Sequence, residues 1–269
     1  MNRILILKTG VTAETVLRVH GDYDRWFTDA MAPHGLTFQI IDVTHEAIPA
    51  LDDFIGIIVT GSASSACRHE PWMGPVMDFL RDAGTTGLPL LGVCLGAQIL
   101  AQARGGRVIL NPEGWEIGGV TIARAPGASG DPLFENLPPA FGALATHEDR
   151  IEELPQGAVL LASNASTPVQ AFRIGARIWG TQFHPEATAQ ILRKLIILRA
   201  DQLARDTASH GRDPDRGIEP LLATLHRPDI DQGRTVLDNF VRVCLQEARQ
   251  GKSEQESQRG RSPAASPRP

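Results

Sequence analysis

The chain has 269 residues, 42% of them hydrophobic and 21% charged, with a formal net charge of −5. That composition suits one large or two small soluble globular units, and the acidic balance argues against a protein that coats nucleic acid or a membrane surface, since both need a basic face. Aromatic residues make up only 5%, so the core must be mostly aliphatic. Three widely spaced cysteines exclude a disulfide framework and show no paired zinc spacing, so a reducing compartment is the simpler reading.

The first ten residues, MNRILILKTG, hold too short an apolar run for a signal peptide. No stretch reaches the ~18 uninterrupted apolar residues of a spanning helix. The expectation is a soluble cytoplasmic protein with no membrane and no nucleic-acid partner.

Along the chain, short aliphatic runs alternate with helical patterns, which is the signature of a wound α/β sheet. Residues 4–7 read as a first strand. Tyr23, Trp26, Phe27, Ala30 and Met31 follow at helical spacing, with Asp22 as N-cap and Gly35 just past the end. Residues 38–43 and 54–60 read as strands, the latter nearly all apolar, as a strand covered on both faces should be. Pro71 opens a helix carrying Trp72, Val76, Met77 and Leu80. Residues 88–93 form a fourth buried strand, and 95–104 a short Ala/Leu-rich helix that stops at Gly105-Gly106. The pattern then turns β-rich, with strands over 120–123, 158–163, 169–174 and 177–183 and a hairpin turn at Gly175-Ala176. Beyond Glu186 the chain is helical, and Val236, Leu237, Phe240, Val241, Cys244 and Leu245 form one apolar stripe. This organisation implies a single domain over residues 1–250 with a helical insert at about 187–234. Residues 251–269 carry almost no large apolar side chain and are expected to be disordered.

The segment Leu90-Leu91-Gly92-Val93-Cys94-Leu95-Gly96-Ala97-Gln98 holds the chemistry. A buried strand runs into Gly-x-Cys-x-Gly and then into a helix, a nucleophile elbow written with cysteine. Side chains at Gly92 or Gly96 would collide with neighbouring elements at so sharp a turn. The turn exposes the Cys94 sulfur at the carboxyl edge of the sheet, where open α/β folds bind ligands. A free thiol, with a pKa near ~8.5, is mostly protonated at neutral pH, and a helix N-terminus directly after it favours the nucleophilic thiolate. The Leu95 N–H can stabilise an oxyanion formed beside the sulfur. An isolated cysteine is usually a small buried hydrophobe. That bland reading stands for Cys244, on its apolar stripe, and for Cys67, in a polar loop without an elbow.

A cysteine nucleophile needs a proton-transfer partner. Of the eight histidines, His184 follows a strand and precedes Pro185-Glu186. Pro185 biases His184 toward an extended backbone. Residues i and i+2 then point to the same side, so the Glu186 carboxylate can reach the His184 ring and fix its tautomer. His-Pro-Glu alone is weak evidence; together with the cysteine elbow it supplies the second part of one mechanism.

At this point the residues resemble the class I, triad-type glutamine amidotransferase family. The matching segments are Gly92–Gln98 and Gln182-Phe183-His184-Pro185-Glu186. Support comes from Asn111-Pro112-Glu113-Gly114-Trp115-Glu116-Ile117-Gly118, Thr146-His147-Glu148-Asp149 and Leu154-Pro155-Gln156-Gly157. The likeness is to the glutaminase domain of GMP synthase and, more closely, to stand-alone proteins related to it, over about residues 1–245. It implies a central, mostly parallel sheet flanked by helices, with a smaller antiparallel sheet and flavodoxin-like winding. It also implies hydrolysis of the glutamine side-chain amide, with Cys94 as nucleophile, His184 as general base and acid, and Glu186 as orienter. The reaction passes through a γ-glutamyl thioester, with ammonia going to a separate synthetase subunit. The oxyanion hole would use the N–H groups of Leu95 and Gly61. Gln98 matches a position that helps hold the substrate, and Ser62 and His147 are expected to contact it as well. The chain departs from the family in having Thr60-Gly61-Ser62 where GMP synthase-type domains carry Gly-Gly-Pro. Gly61 is kept, although a glycine there also suits a plain turn after a strand.

No Gly-rich phosphate loop is visible. Two enzymatic readings therefore stand. One is an amidotransferase subunit feeding ammonia to a partner, for which the 187–234 insert is a candidate docking face or simply a cover on the sheet. The other is a stand-alone hydrolase of γ-glutamyl peptides or conjugates. A non-catalytic binding module ranks behind both because all three triad members are present, and a stress-protein-like relative lacks His-Pro-Glu. No cofactor is implied. No metal is expected either, because His45-Glu46, His69-Glu70 and His147-Glu148 are adjacent pairs whose members diverge, and no His-x3-His spacing occurs.

Overall fold

In the computed structural model, which describes residues 2–211, 213 and 217–259, the first aliphatic run forms β1 (Arg3–Lys8). Its side chains alternate between two cores. Ile4 and Ile6 join a cluster with Phe27, Met31, Phe240 and Val241. Leu5 and Leu7 join another with Val76, Leu80, Ile99 and Leu100. All four strand residues are fully buried, which requires cover on both faces of the sheet.

That cover comes from the elements that follow. After β1 come α1 (Glu14–His20), α2 (Tyr23–Met31), β2 (Thr37–Asp42) and β3 (Gly56–Val59). The Asp22 side chain accepts the Tyr23 N–H at the start of α2, as its N-cap position predicts. Next are α3 (Met73–Asp82), β4 (Leu90–Val93), α4 (Leu95–Ala103), β5 (Arg107–Leu110), β6 (Glu116–Arg124), β7 (Ala140–His147), β8 (Asp149–Glu153), β9 (Val159–Ser163), β10 (Ala171–Ile174) and β11 (Ile178–Thr181). The chain closes with α5 (Ala189–Leu198), α6 (Ala200–Ser209), α7 (Glu219–Thr224) and α8 (Thr235–Arg259).

Among the described residues the strands form a nine-stranded sheet of order β2-β1-β3-β4-β11-β10-β9-β6-β7 and a two-stranded antiparallel sheet, β5-β8. The first five strands are mutually parallel; the remaining pairings are antiparallel. The architecture is the expected α/β sheet with helices on both faces. The antiparallel strands mostly extend the main sheet, and the separate small sheet is the β5–β8 pair. Helices α2 and α8 cover one face, α3 and α4 the other. A third cluster, including Val16, Trp26, Leu144, Ile191, Leu195, Leu203 and Leu222, seats α5, α6 and α7 beside β7.

One expectation is corrected. Helix α8 continues to Arg259, so the first nine residues of the segment expected to be disordered are helical; residues 260–269 lie outside the described residues. The apolar stripe of α8 supplies enough burial to nucleate a helix that then propagates one bond per residue into a polar sequence.

Gly96 sits where backbone crowds the fold. A Cβ there would stand 2.3 Å from the Val59 carbonyl oxygen, which is backbone and cannot swing aside. Gly96→Ala is expected to cost about 3 kcal/mol or more in a urea unfolding curve. Gly251→Ala, in α8 with nothing within 4 Å, is expected to leave stability unchanged or raise it by up to about 1 kcal/mol.

Candidate active site

Strand β4 delivers Cys94 to the carboxyl edge of the parallel sheet. Cys94 has φ 52° and ψ −110°, a positive φ that non-glycine residues rarely hold without surrounding constraint. The constraint is visible. Its N–H donates to the Thr181 carbonyl at 2.7 Å, at the end of β11, and its carbonyl accepts the Gln98 N–H at 3.0 Å, opening α4. The side chain, only 5% exposed, approaches the Thr146 carbonyl, with Sγ to O at 3.8 Å.

The neighbouring strand brings the histidine. β11 pairs with β4 in parallel register, Thr181 opposite Val93, so the residues after each strand emerge at the same edge. His184 follows three residues later, anchored by its N–H to the Leu144 carbonyl at 2.8 Å. Its Nδ1 bonds Glu186 Oε1 at 2.7 Å in a fully enclosed pair, the i, i+2 geometry expected for an extended His-Pro-Glu. Among the described residues Nε2 has no hydrogen-bond partner, which leaves it open to the proton of a neighbouring group. Burial pushes the His184 imidazolium down, but the Glu186 carboxylate and the Cys94 sulfur more than offset it, so His184 sits well above its usual 6.5.

Gly61 joins these groups. A Cβ on it would lie 3.1 Å from Cys94 Cβ and 3.2 Å from His184 Cε1, so its backbone packs against both side chains and any other residue would push them apart. The turn is pinned by Thr60, whose Oγ1 accepts the Thr9 N–H and whose carbonyl accepts the Thr9 hydroxyl, each at 3.1 Å. Leu95 begins α4 directly after the sulfur, so its N–H falls in the first turn, where no intrahelical acceptor exists.

The remaining candidates divide. Ser62 borders a cleft of about 650 Å³ in front of Cys94, and its Oγ accepts the Ser64 N–H at 3.3 Å. Gln98 also borders it, but both amide hydrogens are occupied, by the Asp149 carbonyl at 2.8 Å and Gln182 Oε1 at 3.0 Å. It braces the site and keeps only its carbonyl oxygen for a ligand. His147 borders the same cleft with both ring nitrogens engaged by the protein. Nδ1 faces the Asp149 carbonyl at 2.9 Å and Nε2 faces Glu116 Oε2 at 2.8 Å, so neither ring nitrogen is left for a ligand. Glu116 is itself a hub, accepting also from Asn164, Thr167 and Gln170. Burial raises its carboxyl, but His147, with Asn164 and Thr167, holds it below the usual glutamate value. His147 is therefore a strut that fixes the end of β7.

Three neighbours escaped the sequence reading. Thr146 presents its carbonyl to the sulfur, Arg199 closes α5 beside it, and the Trp115 ring lies 5.1 Å from the Arg199 guanidinium. All three border the cleft, and α6 walls its far side with Gln202, Arg205 and Asp206. Thr146 and Trp115 fall within the family-like segments but carry no local signal of a role, and nothing around Arg199 in the sequence sets it apart from a helix-end arginine. Among the described residues no group of three or more His, Cys, Asp or Glu is arranged to hold a metal. No described helix is long and apolar enough to cross a membrane.

A wound sheet with a constrained cysteine at its carboxyl edge, beside a glutamate-backed histidine, is a layout suited to nucleophilic attack on an acyl carbon. The chain belongs to the glutamine amidotransferase class-I family, whose model matches residues 17–199. It is 25% identical to gamma-glutamyl peptidase 5 of Arabidopsis thaliana, over 84% of this chain and 90% of that one. It is 33% identical to the glutamine-hydrolyzing GMP synthase of Thermosipho africanus, over 55% of this chain but only 27% of that one. The crystal structure of a glutamine amidotransferase from Methylobacillus flagellatus superposes with a TM-score of 0.72 at 23% identity, covering 92% of this chain and 95% of that one.

A histidine raised in the folded state stabilises the fold fully below the unfolded value near 6.5, and that contribution is lost as pH rises through the folded value. Glu186→Gln removes the carboxylate that sustains the raised value. It is therefore expected to lower the urea midpoint more at about pH 6 than at about pH 9.

Proposed function

We propose that this chain hydrolyses the γ-amide bond of γ-glutamyl conjugates through a Cys94–His184–Glu186 triad. The observation that carries the reading is the Gly61 backbone packed against both the Cys94 and His184 side chains, with His184 Nδ1 held by Glu186 and Nε2 open. The Cys94 sulfur attacks the γ-carbonyl carbon, and the N–H groups of Leu95 and Gly61 stabilise the tetrahedral oxyanion. As the C–N bond breaks, His184 gives its proton to the departing amine. Water, deprotonated by the same histidine, attacks the γ-glutamyl thioester and releases glutamate while the sulfur leaves as thiolate. Glu186 holds the tautomer and offsets the imidazolium charge in both half-reactions.

Two observations support a conjugate over free glutamine. The cleft, about 650 Å³, falls in the range of sites for ligands much larger than one amino acid. The gamma-glutamyl peptidase likeness also spans nearly both whole chains. A second reading, glutamine hydrolysis with ammonia passed to a separate synthetase, draws on the higher identity to the GMP synthase glutaminase region.

Glutamate release by the purified chain, measured with γ-glutamyl dipeptides and with glutamine, tests both. The expected result is turnover of the dipeptides at least tenfold better than of glutamine in kcat/KM, and loss of at least a thousandfold in kcat on Cys94→Ala. Preference for glutamine would favour the ammonia-delivering reading. Undiminished release by Cys94→Ala would end the triad.

A further inference from the structure

Beside the cleft lies a cavity of about 20 Å³, large enough for one water molecule. Its polar lining is Tyr23, Ser62, Thr146, His184 and Arg199. Cys94 borders the cleft and not this cavity, whereas His184 borders this cavity and not the cleft. Ser62, Thr146 and Arg199 border both, so the sulfur and the imidazole line two spaces that share a wall.

Tyr23, the one tyrosine of the chain, opens α2. Asp22 Oδ1 accepts its N–H at 2.9 Å and the Thr12 N–H at 2.8 Å. Its ring stands edge-on to Trp26, with centroids 4.9 Å apart. Backbone and ring are thus both fixed. Burial pushes the phenol up to about 12, with Arg199 acting against that rise and the Cys94 sulfur adding to it. The hydroxyl therefore keeps its proton at neutral pH and lies within electrostatic reach of the sulfur. Packing alone would be served by phenylalanine, and a buried phenol costs free energy unless its polar tip finds a partner.

A water in this cavity has partners of both kinds. His184 Nδ1 is engaged by Glu186, so Nε2 of the neutral ring is an acceptor. The Tyr23 O–H is a donor. A water that donates to Nε2 and accepts from Tyr23 keeps a lone pair free for attack.

We propose that this cavity holds the water that hydrolyses the γ-glutamyl thioester, with Tyr23 as its positioning residue. The inference rests on Cys94 being the nucleophile. The water oxygen bonds to the γ-carbonyl carbon while one of its protons passes to His184 Nε2. The tetrahedral adduct then collapses, the C–S electron pair returns to sulfur, and glutamate leaves with the water's hydroxyl in its γ-carboxyl group. The amine of the first half-reaction departs into the cleft, so amine and water use different sides of the wall.

The test is a single turnover of γ-L-glutamyl-p-nitroanilide with the protein in excess. Absorbance of p-nitroaniline reads C–N cleavage, and intact mass after acid quenching reads the thioester on Cys94. Tyr23→Phe keeps the ring. It is expected to leave the cleavage rate within about twofold of the parent and to lengthen the thioester lifetime about tenfold or more. Ala187 also borders the cavity, and Ala187→Val fills it without removing a polar group, so it should lengthen the lifetime in the same way. A parental lifetime in either variant overturns the proposal. Equal slowing of both steps in Tyr23→Phe also overturns it and leaves Tyr23 a packing residue. If neither the parent nor any variant carries the thioester, the triad reading fails and the water site with it. If the thioester forms and Tyr23→Phe clears it at the parental rate, the water site alone fails.

Discussion

Everything at the site depends on two parallel strands lying side by side in one register. β4 and β11 pair with Gly92 opposite Gly180 and Val93 opposite Thr181, and the Cys94 N–H closes the pair onto the Thr181 carbonyl. That bond helps hold Cys94 at a positive φ, and the same register delivers His184 to the same edge. A slip of one residue would turn every side chain of the strand to the other face. The cores on both sides of the sheet resist it, since Leu90, Leu91, Ile178 and Trp179 are all essentially buried. Packing of aliphatic side chains far from the chemistry therefore sets the relative positions of sulfur and imidazole.

The parallel half of the fold was legible because buried strands read as unbroken aliphatic runs, such as Ile57-Ile58-Val59 and Leu90-Leu91. The proposed triad was legible because its parts lie in short local patterns: glycines around Cys94, and a proline between His184 and Glu186. The antiparallel half was harder. β7 is built from Ala-Phe-Gly-Ala-Leu-Ala-Thr-His, small residues with little strand preference that pairing with β6 and burial nonetheless hold extended. β8, Asp-Arg-Ile-Glu-Glu, looks like a charged loop. Arg199 could not be found from spacing, because it meets Thr146 only after α5 folds back across β7, a contact of 53 residues' separation. Gly61 is legible only through a family pattern, and only three dimensions reveal that it packs against the Cys94 and His184 side chains.

The site divides its charges by burial. Glu116 and His147 are enclosed and surrounded by donors and acceptors in which each polar atom has a defined role, an arrangement that rigidifies when complete. Among the described residues Glu186 retains one enclosed oxygen without a partner. The satisfied pair acts as scaffold, whereas Glu186 backs the histidine that stands beside the sulfur.

Helix α6 walls the cleft, yet only Leu203 of its residues is buried, and that contact belongs to the satellite cluster, separate from the two large cores. The wall of the cleft therefore rests on few contacts of its own, chiefly Leu203 and the Asp206 carboxylate that accepts the Trp115 backbone N–H at 2.9 Å. Substitutions along α6 can reshape what the cleft admits while the sheet edge stays fixed, so a shift in leaving-group preference would require few changes and little loss of folding stability. Divergence among such chains should accumulate on that helix first.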